Sequence, residues 1–378
     1  MATYIHQRAE WPLYEYDLRA LMPSLESALT RQGELFGSLK ALGFEDLQDA
    51  KLEAIAAEVV KSSEIEGERL DQDAVRSSVA RRLGMKAGGV PSGDQDVEGI
   101  VAMAIDATEQ CNDPLNEERL FNWHAALFPT GRGAFGRMRV GQWRDDALGP
   151  MQVVSKPMGP KEKVHFEAPA AKLIPLEMRA FLDWFSDDNE ASDILKAGIA
   201  HLWFVTIHPF EDGNGRIGRA ILDMALARAD KRPYRCYSVS AQIRKEREGY
   251  YDALAAAQTS GLDYTMWLTW YLDCLGHAVD NASGAVEGAM TRARFWQAHA
   301  HREMNDRHRT VLARMLMGWE GNMTNKKWQT LTKCSDATAS RDLDELVVWR
   351  IFEREGEGRG VCYVLAPLST GARSGAGG

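Results

Sequence analysis

HPFEDGNGRIGR, residues 208–219, lies between two helix-compatible runs. Upstream, DILKAGIAHLWFVTI is an apolar run that Pro209 must end, and downstream RIGRAILDMALARA resumes a helical pattern. The spacing therefore puts DGNG at the N-terminus of the second helix. A Gly-Asn-Gly run alone is usually only a cap and turn. Here its neighbours say more. Free amides at a helix start attract anions, Gly213 and Gly215 allow close backbone approach, and Asn214 tolerates turn geometry, so the stretch forms a cradle suited to phosphates. Arg216 and Arg219, one turn apart, project from the same side and can fork onto phosphate oxygens. Asp212 is a carboxylate suited to Mg²⁺, which commonly takes one or two carboxylates together with substrate phosphates. His208, as a neutral imidazole, could take a proton from an attacking hydroxyl. The stretch is not a Walker A loop, because the lysine and hydroxyl of GxxxxGK[ST] are missing, and no GxGxxG occurs in a βαβ unit.

Composition narrows the setting. The chain has 378 residues, 45% hydrophobic and 26% charged, the balance of a globular protein of two or three domains. A formal net charge of -9 argues against coating nucleic acid or anionic membrane by bulk electrostatics. Five scattered cysteines without a CxxC pair indicate neither a disulfide framework nor a zinc site, and fit a reducing cytoplasm. The N-terminus lacks signal-peptide character and no stretch approaches the roughly 20 apolar residues of a span, so a cytoplasmic protein without membrane contact is expected.

The expected fold class is mainly α. Residues 1–90 form an N-terminal helical region, 91–282 a helical core, 283–368 a small C-terminal domain and 369–378 a flexible tail. MKAGGVPSGD, from Met85, reads as the first linker. MQVVSKPMGPKEKVHFEAP, Met151 to Pro169, is the exception within the core: two β-favouring runs flank a Pro/Gly turn, a hairpin signature.

HPFEDGNGRIGR matches without a gap the HxFx(D/E)GNGRxxR signature of the Fic (filamentation induced by cAMP) family, which the chain therefore resembles. The resemblance implies a helical Fic core with a β-hairpin flap and transfer of AMP from ATP to a hydroxyl side chain of a target protein, self-modification included. It implies His208 as general base, Phe210 as buried anchor and Asp212 as Mg²⁺ ligand. The backbone of Gly213, Asn214 and Gly215 would hold the α- and β-phosphates, with Arg216 on the nucleotide phosphates and Arg219 on the γ-phosphate. Ile217 and Gly218 fall within the same nucleotide-binding stretch. EREGYYDALAAAQTSG, from Glu246, resembles the family's paired-tyrosine helix, in which Tyr250, Tyr251 and Gln258 would line the adenine and ribose pocket; tyrosines that merely fill core are the alternative. Met151 to Pro169 occupies the place of the flap, whose strand edge can bind a target loop by added pairing.

KLEAIAAEVVKSSEIEG, Lys51 to Gly67, places Leu52, Val59 and Glu66 at seven-residue spacing, so Glu66 continues an apolar face near the helix end. The dipole disfavours an acid there, and a cation is expected, with Arg219 the candidate. Ser62 to Gly67 resembles the [S/T]xxxE[G/N] inhibitory motif of the same family. By that analogy Ser62 and Glu66 form an intramolecular inhibitory helix, with Glu66 paired to Arg219.

The C-terminal stretch, NMTNKKWQTLTKC to VCYVL, resembles a winged helix with Asp336 to Trp349 as its recognition helix. Lys326, Lys327, Arg341 and Arg359 could meet phosphates, but Asp342, Asp344 and Glu345 oppose them. DNA binding and a protein-interaction or homodimer role both stay open. His299, His301 and His308 lack HExxH spacing and read as a solvated polar face. Two other functions compete with AMP transfer: a nucleotide-sensing transcriptional regulator, and a Fic enzyme that removes AMP.

Overall fold

The computed structural model describes residues 4–85, 94–133, 136–147, 149–155, 163–187, 192–231, 235–316, 319 and 321–367. The expected linker after Met85, the tip of the hairpin at 156–162 and the tail at 369–378 lie outside the described residues, as does the side chain of Arg359. The chain divides into two compact units, Met1–Val286 and Glu287–Gly378. No helix among the described residues is long and apolar enough to cross a membrane.

The first unit is helical. Its opening half comprises α1 (Leu18–Leu39), α2 (Phe44–Ile65), α3 (Gln72–Arg82), α4 (Gln95–Glu109) and α5 (Glu117–Leu127). Two small antiparallel pairs follow: β1 (Arg132–Gly133) with β2 (Gly136–Arg137), and β3 (Gln152–Ser155) with β4 (Lys163–Glu167). The second pair is the hairpin read from the sequence, with Gln152 opposite Glu167 and a register shift between Val153 and Val154. Then come α6 (Ile174–Ser186), α7 (Asp193–Ile207), α8 (Asn214–Asp230), α9 (Val239–Lys245), α10 (Arg247–Ser260) and α11 (Thr265–Ala298), whose residues from Glu287 on belong to the second unit.

The centre of this unit is the α7–α8 pair. Every residue of α7 from Ile194 to Ile207 is buried, which is why its sequence is apolar all round. α8 is buried over most of its length, and its inward face includes Arg216, Arg219 and Asp223. Polar side chains inside need partners. Asp223 pairs with Arg235. α2 packs on α9, and Glu58 from its middle accepts hydrogen bonds from Ser238 Oγ at 2.6 Å and Ser240 N at 3.1 Å. This buried carboxylate fixes α2 in register, so its C-terminal turn has a defined position. The segment before α1 is also docked: Trp11 Nε1 donates to Glu177 at 2.7 Å, and Tyr14 stacks on Tyr264 with ring centroids 5.1 Å apart.

The second unit contains α12 (Asp306–Leu316), α13 (Asn325–Thr332), α14 (Asp336–Val348) and the antiparallel pair β5 (Phe352–Glu355) and β6 (Cys362–Leu365). Its core gathers Trp328, Leu343, Leu346 and Phe352, each nearly or fully buried. Thr324 and Ser335 cap α13 and α14 through their hydroxyls. Two expectations fail here. His308 is not on a solvated face: it is fully buried, while His301 is exposed. Asp342 does not oppose basic groups at the surface. It is buried and accepts from Arg307 Nε at 2.6 Å and Nη2 at 2.8 Å, Asn305 Nδ2 at 3.2 Å and Trp328 Nε1 at 3.1 Å.

Candidate active site

α7 ends where Pro209 requires it. His208 closes the helix in the left-handed region, at φ 53° and ψ 58°, with its amide bonded to Phe204 O at 3.0 Å. A non-glycine residue seldom adopts this conformation, though histidine does so more readily than most. Arg144 holds it there. Its buried guanidinium donates to His208 O at 2.8 Å, Pro169 O at 2.6 Å and Asp146 at 2.9 Å, tying the end of α7 to the base of the β3–β4 hairpin. Nothing in the local sequence pattern marks Arg144 for this task.

His208 Nδ1 lies 3.3 Å from Val205 O. The carbonyl can only accept, so Nδ1 carries the proton and Nε2 keeps a free lone pair. Burial pushes the imidazole down to about 4, against the smaller pull of the Val205 carbonyl, so it is neutral at pH 7.

The next turn is held by side chains. Asn214 is 2% exposed; its Oδ1 accepts from Phe210 N at 2.9 Å and its Nδ2 donates to Phe210 O at 2.8 Å. The left-handed position belongs to Gly213, at φ 80°, where a Cβ would lie 2.8 Å from the Phe128 ring. Asn214 therefore clamps the loop and does not itself make the turn. Phe210 is fully buried, as its anchor role implied, and stacks on His124 with ring centroids 4.2 Å apart. Asp212 Oδ1 accepts from Gly213 N at 2.6 Å and lies 3.9 Å from Arg216.

Two further residues of the stretch are packed within the helices. Ile217 is fully buried, and its amide already bonds Gly213 O at 3.0 Å. Gly218 faces Val205 and His201, where an added Cβ would meet Val205 at 2.8 Å. Both residues pack inside, Gly218 against α7.

Arg219 is 1% exposed. Its Nε donates to Ser62 Oγ at 2.9 Å and its Nη2 to Ser62 O at 2.9 Å and Glu66 Oε1 at 2.8 Å. Ser62 and Glu66 thus meet Arg219 as a pair. Glu66 is less enclosed than its spacing predicted. Leu52 and Val59 are buried, but Glu66 is the C-cap residue of α2, with about a third of its side chain exposed. Its carboxylate presses on the start of α8: a Cβ at Gly215 would lie 2.1 Å from Glu66 Oε1. Arg216 does not share that acid. It donates to Glu68 Oε2 at 2.5 Å and lies over the Phe128 ring, 5.0 Å from its centroid.

A cleft of about 500 Å³ opens beside these groups, a size suited to a small-molecule ligand. It is lined by His208, Gly215 and Glu66, by Tyr250, Tyr251 and Gln258 from α10, and by Val154 and His165 from the hairpin. Tyr250 is 2% exposed and its hydroxyl lies 3.0 Å from His201 Nε2; Gln258 Nε2 contacts Thr206 Oγ1 at 3.3 Å. Tyr251 is half-open, with the Arg247 guanidinium over its ring at 5.2 Å. Arg247 also donates to Ile65 O at 3.1 Å, satisfying a carbonyl at the end of α2. The sequence offered no sign of Arg144, His201, Arg247 or Glu68 at this site.

The helix-ended histidine, the side-chain-clamped turn and the arginines of α8 fall within one recognised region. Residues 114–226 match the Fic/DOC family. Residues 4–85, ahead of this Fic region, match a family described only as a domain of unknown function, DUF4172. A probable protein adenylyltransferase of Aquifex aeolicus is 36% identical over 61 residues, 16% of this chain and 19% of that protein. The protein adenylyltransferase Fic of Nematostella vectensis is 32% identical over 115 residues, 30% of this chain and 25% of that protein. The chain thus spans a quarter or less of the length of these two curated relatives. The crystal structure of a Fic-domain-containing signaling protein from Bacteroides thetaiotaomicron, 18% identical, aligns with a TM-score of 0.50 over 68% of this chain and 97% of that one, a likeness of fold.

The cluster of His308, Asp342 and Glu345 in the second unit has ligand atoms within 4.8 Å of one another. It is a poor cation site, because each Asp342 oxygen already accepts two hydrogen bonds, two of the four from the Arg307 guanidinium.

Proposed function

We propose that the chain is an autoinhibited protein adenylyltransferase that moves AMP from ATP to a hydroxyl side chain of a target protein, itself included. The observation that carries this reading is the position of His208: a neutral imidazole on the same cleft as Gly215, in the N-terminal turn of α8 from which Arg216 and Arg219 follow. In the proposed reaction the hydroxyl oxygen bonds to the α-phosphorus, His208 Nε2 takes its proton, and the α-phosphorus–oxygen bond to the β-phosphate breaks, releasing pyrophosphate. The amides at the start of α8 and the two arginines bind the phosphates. Tyr250, Tyr251 and Gln258 border the space left for the nucleoside.

Asp212 is the residue suited to Mg²⁺. It is a hard oxygen donor, partly exposed, beside the phosphate-binding turn, and therefore fits an ion usually shared between a carboxylate and substrate phosphates. Bound there, Mg²⁺ would offset phosphate charge.

Inhibition is read from Glu66. A carboxylate against Gly215, held by Arg219, competes with an anionic phosphate for the same helix start and the same guanidinium. The hairpin bordering the cleft would present the target hydroxyl by strand pairing. The second unit, three helices followed by a two-stranded hairpin, is read as a winged helix. Lys326, Lys327 and Arg341 are exposed, but so is Asp344, and this mixed surface favours a protein partner or a second copy of the chain over DNA. Five free cysteines favour a reducing cytoplasm.

Parallel reactions with α-labelled and γ-labelled ATP test the chemistry. Label on protein from the α-position alone supports AMP transfer. Label from the γ-position would mean phosphate transfer, no label from either would leave a nucleotide sensor, and loss of AMP from modified protein would favour the reverse reaction.

A further inference from the structure

We propose that Glu68 is a second inhibitory carboxylate, which withholds Arg216 from nucleotide phosphates while Glu66 withholds Arg219. The inference rests on the nucleotide reading of the cleft and adds to it a second gate.

The two acids flank Gly67, whose φ of 87° ends α2 in a tight turn. Gly67 N bonds Glu64 O at 3.1 Å and Glu68 N bonds Ser63 O at 3.0 Å, so the turn is fastened to the helix. It sends Glu66 to Arg219 at 2.8 Å and Glu68 to Arg216 at 2.5 Å. Two residues thus occupy both arginines of α8's first turns.

The arginines are built for a further acceptor. The Arg216 side chain is 5% exposed and that of Arg219 1% exposed. Arg216 Nε and Arg219 Nη1 are both buried without a hydrogen-bond partner among the described residues. Unsatisfied buried donors are costly, and two guanidinium N–H groups beside free helix amides call for an anion with several oxygens. A polyphosphate has them. Around Arg216 the surroundings are acidic: burial raises the Glu68 carboxyl above its ordinary range, the Arg216 guanidinium opposes this, and Asp212, Glu66 and Asp96 add to the rise. An incoming polyphosphate must displace Glu68 from its arginine and also meet that negative field. With 45% of its side chain exposed, Glu68 can swing into water when released.

Binding of Mg·ATP and of adenosine to the full chain, measured by calorimetry, tests this. Glu68→Gln introduced into a Glu66→Gly background should tighten ATP binding at least fivefold and leave adenosine within twofold. In an Arg216→Met background the gain for ATP should fall below twofold. ATP affinity unchanged by Glu68→Gln, an equal gain for adenosine, an equal gain without Arg216, or no ATP binding in any variant would each overturn the proposal. Should Arg216→Met fail to fold, the contrast of ATP with adenosine still decides. Because binding is read, the inference and the transfer reading fail separately. AMP transfer with no change in affinity defeats the role of Glu68 alone. Tighter binding with no transfer defeats adenylyl transfer alone.

Discussion

Arg219 Nη2 and Glu66 Oε1 are 2.8 Å apart, joining the second turn of α8 to the last residue of the α2 cap, 153 positions away in sequence. Both helix ends gain from the pairing. The guanidinium satisfies Ser62 O at the carbonyl end of α2, and the carboxylate lies at the amide end of α8, where the dipole favours negative charge. A ligand that needs Arg219 must break this arrangement first.

His208→Ala should abolish transfer of label from α-labelled ATP while leaving ATP affinity within a few-fold. General-base catalysis contributes about 10²–10⁴ in rate, so the loss is well within detection. Undiminished transfer would remove His208 from the reaction.

Because burial holds His208 at about 4, its basic form persists as pH falls from 8 to 5, and the transfer rate of an active variant should show no step in that range from this residue. Stability behaves differently. His124, His201 and His208 are all depressed to about 4, mainly by burial, against about 6.5 when unfolded. Between those values the unfolded chain binds more protons, so stability is lost as pH falls from about 6.5 towards 4, by up to about 1.4 kcal/mol per pH unit for each group. Melting temperatures that stay level between pH 7 and 5 would contradict this.

Asn214→Ala leaves the Phe210 amide and carbonyl without partners in a buried loop. An orphaned buried polar group costs about 1–3 kcal/mol, so denaturant melts should show a loss of that order or more, with transfer reduced as the turn loosens. A neutral result would mean the loop is held by Phe210 packing alone.

Asp342→Ala removes the acceptor for Arg307, Asn305 and Trp328. It should destabilise the second unit by about 2–3 kcal/mol and leave nucleotide binding by the first unit unchanged. Loss of nucleotide binding would show that the two units do not stand apart in this respect.

The parts of the site that were legible are those written in contiguous residues. Pro209 and Gly213 punctuate α7 and α8, so the turn, its histidine and its arginines could be placed from spacing. Ser62 and Glu66 were legible through the resemblance of Ser62 to Gly67 to an inhibitory motif, but the same spacing argument made Glu66 more buried than it is, because a helix face cannot show where the helix stops against a cleft. What stayed hidden depends on distant segments meeting. Arg144 reaches His208 across 64 positions and Arg216 reaches Glu68 across 148. Position within a stretch says nothing about which side faces a neighbouring helix, so the burial of Ile217 and the packing of Gly218 against α7 were not legible. His308 and Asp342 looked like surface groups because their burial is set by Trp328 and Arg307, which no periodicity joins to them.

The most direct test of autoinhibited AMP transfer compares the wild type with Glu66→Gly, incubated with Mg²⁺ and α-labelled ATP, reading label on the protein itself. Freeing Arg219 should raise labelling at least about tenfold, equivalent to about 1.4 kcal/mol of released competition. The double variant Glu66→Gly/Arg219→Ala should lose most of that gain. Equal labelling of folded wild type and Glu66→Gly would contradict inhibition by Glu66.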